Sequence, residues 1–543
     1  MNLKKVLACL ISLMLVMNPI CVYADENDIV AQSEDGTQTY TDYTSAWNAA
    51  QDGTKIVMTS DWNLSDRLVV SEGKTATIEM NGHKISRNLE TSTKIGGEVI
   101  YVDKNATLNL NGNNEPETSF FFYGYDDLGY YVYEWLTTGG LVTGGASGDG
   151  AGGIHMKKGS TVNLDHVAVA GNLSGTTSQS SNGGGIYLSK DCVLNMKNSY
   201  VGFNKSYDGG GIYVSDTNVI INMEQSEILY NYAVNNGGGI NSYEDATYVC
   251  MNKNSKIIGN VARKLGGGVY FSNPYCQITS GDGLAEINEN ESRQKGGAVY
   301  FELSVRGNTA QVNKITFNSN SSADNGGAIY VGQSKVRIDD CKFNKNSGKS
   351  GGAIYVGMSA YITNCTFENN RASEQGGAIA DFVSDTTIDN CTIMNNHADA
   401  EGGGVYVNQK YDISLSGKVV IKDNKRGGDY PDDLMLQKTW AYTAYVKGEV
   451  KDGSSVGIRT GDNGETKIGK DITSDCSQYF FLNDSGNYYI SYENGTLHKR
   501  SCSLVGSIFG NENLGASVLV MAGICVVGGI ALFMNKKRNR EEA

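Results

Sequence analysis

The sequence predicts an all-β protein: a right-handed parallel β-helix solenoid with a β-rich C-terminal cap and one C-terminal transmembrane helix. Three observations lead to this prediction. A Gly-Gly-Gly or Gly-Gly-Ala triplet recurs every 25 to 32 residues, a short period that is typical of solenoids. An asparagine precedes each triplet, and apolar residues alternate with polar residues before each asparagine. The triplets begin at Gly183, Gly209, Gly237, Gly266, Gly296, Gly326, Gly351, Gly376 and Gly402, with a degenerate copy at Ala151.

The first element is a secretory signal peptide, predicted over residues 1–24. Lys4 and Lys5 precede an apolar run over residues 6–17, and the small-residue cleavage site Val-Tyr-Ala follows at 22–24. This order of basic, apolar and small residues is typical of a leader that is removed on export. We therefore expect the remainder of the chain to fold outside the cytoplasm.

The second element, over residues 25–430, is the solenoid. In ten copies the residues five and three places before the asparagine are small or apolar, and the residue between them is mostly polar. This alternation predicts a strand with one buried face, and two more strands complete each unit. Successive coils lie about 4.8 Å apart, where stacked asparagine amides form hydrogen-bonded ladders. These asparagines are Asn172, Asn204, Asn231, Asn260, Asn290, Asn320, Asn346, Asn370, Asn396 and Asn424.

An aromatic insertion interrupts the solenoid at about residues 114–138. Nine of the sixteen residues from Phe120 to Trp135 are aromatic, and Asp-Asp-Leu-Gly at 126–129 separates two aromatic runs, which predicts a β-hairpin. Rigid amphipathic rings suit a binding surface. The alternative is a hairpin that folds flat on the solenoid and covers its side. The candidate ligand-binding residues are Tyr123, Tyr125, Tyr130, Tyr131, Tyr133 and Trp135.

A tyrosine follows most of the glycine triplets and supplies a second candidate surface. If these side chains point outward, they form an aromatic stripe that suits sugar rings, and Tyr300, Tyr330 and Tyr355 are the candidates. The alternative is that each tyrosine packs on its neighbour one coil away.

Three further elements follow the repeats. Residues 431–500 are predicted to form a β-rich cap that covers the open sheet edge, and residues 501–513 a spacer. Residues 514–534 carry no charge and are long enough to cross a bilayer. The basic tail at 535–543 is predicted to be cytoplasmic, because positive residues favour that side. The protein is therefore expected at the cell surface, anchored in the cytoplasmic membrane by this helix with its N-terminal ectodomain outside.

Two side-chain columns within the repeats suggest possible chemistry. Cys341, Cys365 and Cys391 fall one per coil at an inward position, where they are interpreted as reduced, small hydrophobic residues, with disulfide formation as the alternative. Asp339 and Asp389 stand two coils apart, near the upper separation of an inverting glycosidase pair. The alternative for these aspartates is hydrogen bonding to the local backbone at a strand corner.

The repeat motifs resemble those of a known family. Gly-Gly-Ala-Ile together with Phe-x-x-Asn, as in 317–320, 343–346 and 367–370, resembles the repeats of chlamydial polymorphic outer-membrane proteins. More broadly, the chain is similar to pectate-lyase-type β-helix surface proteins of Gram-positive anaerobes, and residues 78–85 resemble their first-coil motif. Unlike the chlamydial group, this chain is expected to have one C-terminal membrane helix in place of an autotransporter barrel. The resemblance implies the fold, but that fold carries both enzymes and adhesins.

Charge and motif content narrow the function. The net charge of −14 argues against a nucleic-acid partner, and neither metal-spaced histidines nor a calcium-loop motif occurs, so no metal, cofactor or catalytic residue is expected. We expect a non-enzymatic adhesin or binding rod for a host or cell-surface protein or glycan. A polysaccharide lyase or glycoside hydrolase on the same fold is the alternative, and a passive spacer without a ligand is the third hypothesis.

Overall fold

The computed structural model describes residues 28–501 except for 90–95, 114–121, 127–128, 133–138, 149, 176–181, 245, 274, 304–308, 383–385, 409, 439–442, 462–463 and 484–487. The predicted signal peptide, transmembrane helix, cytoplasmic tail and all of the spacer except its first residue lie outside the described residues. Among the helices that the structure describes, none has the length and apolar character needed to cross a bilayer.

The chain winds as a parallel β-solenoid of about 13 turns, which confirms the all-β solenoid part of the predicted fold class. Four strands make up each regular coil, and each strand pairs in parallel with its equivalents in the coils above and below. The first sheet contains Ile56–Met58, Thr75–Glu79, Thr107–Asn111, Thr161–Asp165, Val193–Lys197, Val219–Glu224, Thr247–Asn252, Gln277–Thr279, Thr309–Asn313, Lys335–Asp339, Ser359–Thr363, Thr386–Asp389, Ile413–Ser416 and Val446–Lys447.

The second sheet is formed by the strands that precede the asparagines. It contains Trp62–Asn63, Lys84–Ser86, Gly140–Thr143, Val167–Ala170, Tyr200–Gly202, Glu227–Leu229, Lys256–Ile258, Ala285–Asn288, Ile315–Asn318, Lys342–Asn344, Thr366–Glu368, Thr392–Met394, Val420–Lys422, Ser455–Thr460 and Phe480–Leu482.

The third sheet consists of two-residue strands that directly follow the asparagines. Its members are Ala146–Ser147, Leu173–Ser174, Lys205–Ser206, Tyr232–Ala233, Val261–Ala262, Glu291–Ser292, Ser321–Ser322, Ser347–Gly348, Arg371–Ala372, His397–Ala398 and Lys425–Arg426, and Tyr430–Pro431 closes it in antiparallel orientation.

The fourth sheet follows the glycine triplets and joins the second sheet at the C-terminal end, where Ser455–Thr460 pairs with strands of both. Its strands are Leu68–Val70, Ile100–Val102, Ile154–Met156, Ile186–Leu188, Ile212–Val214, Ile240–Ser242, Val269–Phe271, Val299–Leu303, Ile329–Gln333, Ile354–Val356, Ile379–Asp381, Val405–Val407 and Leu434–Leu436.

The core runs along the axis of the solenoid and is built from vertical columns of identical or similar side chains. Phe317, Phe343 and Phe367 are buried and stack in parallel, with ring centroids 4.8 and 4.6 Å apart. Burial of each such ring contributes about 1.5–3 kcal/mol, and the stacking adds to it. The in-register apolar columns that the alternation predicted are therefore confirmed.

The buried asparagines form the predicted ladder, called here the asparagine ladder. Asn290 is fully buried, and its Nδ2 donates to Asn320 Oδ1 at 3.0 Å and to the carbonyl oxygen of Ile257 at 2.9 Å. Asn260 donates to Asn290 Oδ1 from both its Nδ2 and its backbone N–H, each at 3.0 Å. The same pattern continues from Asn172 to Asn424, where Nδ2 donates to Asp433 Oδ1 at 2.9 Å. Every rung thus satisfies buried polar groups that would be costly if left unpaired.

The glycine triplets are explained by two close contacts at the corner that they form. Gly326 has a φ of +72°, and a Cβ atom there would lie 2.4 Å from the carbonyl oxygen of Ile329. A Cβ atom on Gly327 would lie 2.1 Å from the carbonyl oxygen of Gly352 in the next coil. Only glycine fits both positions, because other residues would clash with backbone atoms that cannot move independently.

The cysteine column is a second ladder. Cys341, Cys365 and Cys391 are buried and are not joined by disulfides. The backbone N–H groups of Cys341 and Cys365 each donate to the sulfur in the next coil at 3.4 Å, as the backbone N–H of Ser199 donates to Ser226 Oγ at 3.1 Å in an earlier coil. Burial raises the pKa of the Cys365 thiol well above its usual value, so this group stays protonated.

The N-terminal end is closed by a helix that the sequence analysis did not predict. Ala31–Ser33 pairs antiparallel with Thr39–Tyr40 and with the first coil strand, and an α-helix follows at Tyr43–Gln51. Asp42 caps this helix by accepting from the backbone N–H of Ser45 at 2.8 Å. Trp47 is only 4% exposed, so the helix packs its apolar face against the open end of the core. This helix is a small addition to a fold that is otherwise all-β, as predicted.

At the C-terminal end, parallel pairing continues beyond residue 430, where the predicted solenoid stops and the predicted cap begins. Leu434–Leu436, Ser455–Thr460 and Phe480–Leu482 pair in parallel with strands of the last coils. Parallel pairing uses backbone groups, which every residue has, so the coil extends without the repeat motif. Antiparallel strands then end the fold, and short 3₁₀ turns occur at Gly427–Asp429 and Ser477–Tyr479. These antiparallel strands are Thr466–Gly469, Tyr488–Glu493 and Thr496–Ser501.

Candidate functional site

A polar groove lies on the outward face of the first sheet, in the N-terminal half of the solenoid. It is open to solvent, has a volume of about 640 Å³ and crosses the strands from Thr75–Glu79 to Thr247–Asn252. Inward and outward side chains alternate along these strands, so apolar residues fill the core while polar residues face the groove. We call this surface the asparagine groove.

The floor of the asparagine groove is a row of four carboxamides, here called the asparagine row. Asn109, Asn163, Asn195 and Asn222 occupy equivalent positions in successive coils. The Nδ2 atoms of the last three each donate to the Oδ1 atom one coil earlier at 2.7 Å, and Asn109 donates to Thr77 Oγ1 at 3.0 Å. A carboxamide has two N–H donors and an oxygen with two lone pairs. The row therefore keeps donor and acceptor capacity for a ligand after its internal bonds are made.

One wall of the groove is a column two positions beyond the row, where four of the six residues are charged. Lys55 Nζ lies 2.8 Å from Glu79 Oε1, and this hydrogen bond raises the pKa of the lysine. Lys197 Nζ lies 3.1 Å from Asp165 Oδ2, and Glu224 pairs with a lysine outside the column. Each acid in this column thus has a lysine beside it, which leaves the wall close to neutral in local charge.

The aspartates proposed as a catalytic pair lie on the same face, further along the solenoid. Asp339, Thr363 and Asp389 are in register, as the spacing predicted. Asp339 Oδ2 is 2.7 Å from Arg337 Nε, and Asp389 Oδ1 accepts from Ser416 Oγ at 2.9 Å. Each carboxylate thus interacts with its own partner in the sheet.

The tyrosines of the fourth sheet form a stack along the outside of that sheet. The ring centroids of Tyr300 and Tyr330 are 4.9 Å apart, as are those of Tyr330 and Tyr355, and the planes are parallel within 2°. Tyr300 is only 8% exposed, and burial raises its pKa to about 12. Lys295 Nζ lies 4.9 Å from the centroid of the Tyr330 ring. The rings therefore contact each other face to face and offer a ligand mainly the edges of Tyr330 and Tyr355.

The aromatic insertion forms two antiparallel strands, Phe122–Asp126 and Gly129–Val132, in a sheet of their own. Tyr125 lies opposite Tyr130 in this pairing. Tyr123 and Tyr131 are on the same two strands, and the side chains of the insertion are not described. Tyr133 and Trp135 lie outside the described residues.

The asparagine row was not predicted, although the sequence carries a signal for it. In four coils an asparagine stands between two buried apolar residues, and strands with that pattern must direct the amide outward. The asparagines of the row lie within strands, whereas each asparagine of the asparagine ladder comes after a strand. The four segments are Leu108–Asn109–Leu110, Val162–Asn163–Leu164, Leu194–Asn195–Met196 and Ile221–Asn222–Met223.

Comparison with known proteins agrees with the fold. The family model described as the right handed beta helix region matches residues 301–430, the part of the chain with the most regular repeats. The fold and this match together support a parallel β-helix protein. The search of curated proteins and the search of solved structures each returned no significant match.

Proposed function

We propose that this chain is a cell-surface binding rod, an adhesin that binds a host or cell-surface protein or glycan without transforming it. In this proposal residues 514–534 anchor it in the cytoplasmic membrane and the solenoid stands outside. The observation that carries the proposal is the continuous outward face of the first sheet, where polar side chains repeat in register along the solenoid. Such a face offers many equivalent contacts to an extended partner.

The length of the solenoid supports a display function. About 13 turns at about 4.8 Å per turn give a rod of roughly 60 Å. Its core is continuous and its polar ladders are satisfied from coil to coil, so the rod is stiff. A stiff rod holds a binding face away from the surface to which it is attached.

The enzyme alternative finds less support in the geometry. A glycosidase needs one carboxyl group that holds a proton and a second that activates water or attacks the sugar. Asp339 Oδ2 lies 2.7 Å from Arg337 Nε in its own strand, and Asp389 Oδ1 accepts a hydrogen bond from Ser416 Oγ in the next coil. Both contacts suit carboxylates with a structural role in the first sheet.

The repeat type is also part of the proposal. Gly-Gly-Ala-Ile with Phe-x-x-Asn resembles the repeats of the polymorphic outer-membrane proteins, and the matched region at 301–430 contains the most regular copies. We propose that the resemblance reflects a shared use as a surface scaffold. The chain differs from that group in its predicted single membrane helix.

The test is a binding assay with the purified chain in detergent against glycan arrays and intact cells. We expect retention on at least one glycan or cell type, together with no release of reducing ends or unsaturated products from polysaccharides. Changing Tyr125 and Tyr130 to serine measures the contribution of the aromatic insertion, and Tyr330→Phe with Tyr355→Phe measures that of the tyrosine stack. Product formation that disappears in Asp339→Asn or Asp389→Asn would establish the enzyme alternative instead.

A further inference from the structure

We infer that the aromatic insertion at residues 114–138 docks on the outward face of the second sheet, against a group of apolar side chains called here the outer patch. The inference does not depend on the proposed function, because it concerns a contact within the chain. It gives the insertion a partner in the rod itself. The outer patch consists of Leu141, Ala168, Ala170, Tyr200 and Leu229, with Phe203, Tyr230 and Ile258 packed against it.

The outer patch is separate from the core of the solenoid. Val142, Val169 and Val201 point into the core, and the residue directly before each of them in the second sheet points outward. A column of apolar side chains therefore lies on the outside of the solenoid, one per coil and in register. Its members are Leu141, Ala168 and Tyr200.

The burial of this column indicates that a further segment covers it. Leu141 is 7% exposed, Tyr200 6% and Ala168 0%. At the same outward position in later coils, Thr316 is half-buried and Lys342 is exposed, although these residues also have neighbours one coil away. Coil stacking alone therefore does not explain the low exposure. The hydroxyl of Tyr200 is buried without a hydrogen-bond partner among the described residues, which indicates a cover of apolar atoms.

Charged residues bound the apolar column at both ends. The residue before Leu141 in the column is Lys84, whose Nζ lies 3.5 Å from Asp61 Oδ2. The residue after Tyr200 is Glu227. The apolar column thus occupies three coils, or roughly 10 Å, which is about the width of two paired β-strands.

The aromatic insertion leaves and re-enters the solenoid beside this column. The backbone N–H of Gly112 donates to the carbonyl oxygen of Asp165 at 2.8 Å, and that of Gly140 donates to the carbonyl oxygen of His166 at 3.3 Å. Both ends of the insertion are therefore held against the same neighbouring coil. Leu141, the first residue of the outer patch, follows the second end directly.

The insertion requires a surface on which to pack. Its strands, Phe122–Asp126 and Gly129–Val132, pair with each other in a sheet that the described strands of the solenoid do not join. An isolated two-stranded hairpin is marginally stable at best in water, and packing on an apolar surface stabilises it. Nine of the sixteen residues at 120–135 are aromatic, so the insertion offers the apolar area that matches the outer patch.

The first test is hydrogen exchange, followed by mass spectrometry, on the full chain in detergent. A docked insertion should exchange the amides of residues 122–126 and 129–132 about 100-fold or more slowly than an unstructured peptide of the same sequence. A hairpin without a surface should stay within about tenfold of that peptide, and this result would overturn the inference.

The second test places a charge in the outer patch. Ala168→Asp should speed exchange in the two strands of the insertion by about tenfold or more, and exchange in Ser359–Thr363 should not change. The matched control is Thr316→Asp, which puts the same charge at the equivalent outward position in a later coil. Thermal melting establishes that each variant is folded, and Tyr200→Ser replaces Ala168→Asp if that variant does not fold. Equal exchange in the patch variant and the control would overturn the inference.

The third test asks whether the covering segment belongs to the same chain. Docking within one chain predicts a monomer in light scattering after size exclusion, for the unmodified chain and for Ala168→Asp alike. A dimer that Ala168→Asp converts to a monomer would show that a second copy covers the outer patch, which overturns the inference. Each of these failures leaves the proposed binding rod standing, because none of the three tests measures ligand binding.

Discussion

Asparagine has two roles in this chain, and burial separates them. Asn290, in the asparagine ladder, is fully buried and satisfies backbone groups of neighbouring coils. Asn195, in the asparagine row, is half-buried and bonds to another side chain, Asn163, at 2.7 Å. The first arrangement stabilises the fold because each amide replaces water for buried groups. The second leaves amide groups at a surface, where a ligand can use them.

Removal of one rung of the asparagine ladder is expected to lower the free energy of unfolding strongly. Asn290→Ala removes the acceptor of the Asn260 backbone N–H and of one Asn260 amide N–H, and it removes a donor to the carbonyl oxygen of Ile257, all in a buried site. Each orphaned group costs about 1–3 kcal/mol, so we expect a loss of about 3 kcal/mol or more in the free energy of unfolding. Denaturant titration followed by circular dichroism measures it. The exposed-face control Asn313→Ala should lose less than about 1 kcal/mol, and equal losses in the two variants would contradict this account.

A half-buried histidine, whose Nε2 atom is shielded from solvent, makes stability depend on pH. His155 lies between Tyr101 and Tyr187, with ring centroids 5.3 and 4.7 Å away, and among the described residues its Nε2 has no hydrogen-bond partner. Burial, with smaller contributions from the nearby cations Lys157 and Arg67, lowers the pKa of His155 from 6.5 to about 3. The folded protein therefore holds a neutral imidazole, while the unfolded chain binds a proton below pH 6.5.

The sign of the pH effect follows from this difference. The neutral His155 side chain contributes fully to the free energy of unfolding above pH 6.5. This contribution is lost as the pH falls towards 3, which lowers the free energy of unfolding by up to about 4 kcal/mol. Replacing His155 with Asn, the residue that Asn241 supplies at the equivalent position, should remove this part of the acid sensitivity. Melting temperatures of both proteins between pH 7 and pH 4 measure it. Parallel pH profiles for the two would show that His155 is protonated in the folded state.

At the scale of elements, the sequence predicts best where the pattern repeats. The strands before the asparagines and after the glycine triplets follow from alternation, because a parallel solenoid gives each position the same environment in every coil. The helix at Tyr43–Gln51 occurs once, so no repeat reveals it. Its signals were local: Asp42 at the cap position and Ala46, Trp47 and Ala50 on one face.

The candidate site likewise has some features that the sequence predicts and others that it does not. The tyrosine column was predicted from the motif, but the motif does not show that stacking between Tyr270 and Tyr330 leaves Tyr300 only 8% exposed. The asparagine row was missed because its residues lie within strands and only the three-dimensional register brings them together. Coil pairing beyond residue 430 was missed because backbone hydrogen bonds leave no residue signature.

The N-terminal helix is expected to open before the coils do. Its cap depends on Asp42, which accepts from the backbone N–H and the hydroxyl of Ser45, and these bonds hold the pKa of Asp42 below its usual value. Asp42→Ala should cost about 1 kcal/mol and should increase amide hydrogen exchange over residues 43–51. Exchange in the strands at 193–197 should not change. Faster exchange throughout the solenoid would mean that the helix and the coils unfold as one unit.

At the scale of the whole molecule, the solenoid has to protect its two ends. The helix and the antiparallel strands cover the N-terminal coil, and the region after residue 430 covers the C-terminal coil. There, Asp433 ends the asparagine ladder and Asn483 Nδ2 donates to its other oxygen at 2.8 Å. Arg459 pairs with buried Asp432 at 2.9 Å, so charged groups as well as strands close this end.

Removal of the region after residue 430 should cause the truncated chain to associate with other copies of itself. A chain truncated after residue 430 loses the partners of Val405–Val407, Ile413–Ser416 and Val420–Lys422, and the Nδ2 of Asn424 loses Asp433. Three sheets then end in unpaired backbone groups, which favour pairing with another chain. We expect concentration-dependent dimers or larger species in light scattering after size exclusion, whereas a chain ending at residue 501 stays monomeric. A truncated chain that remains monomeric and keeps its melting temperature would show that the repeat coils close their own edge.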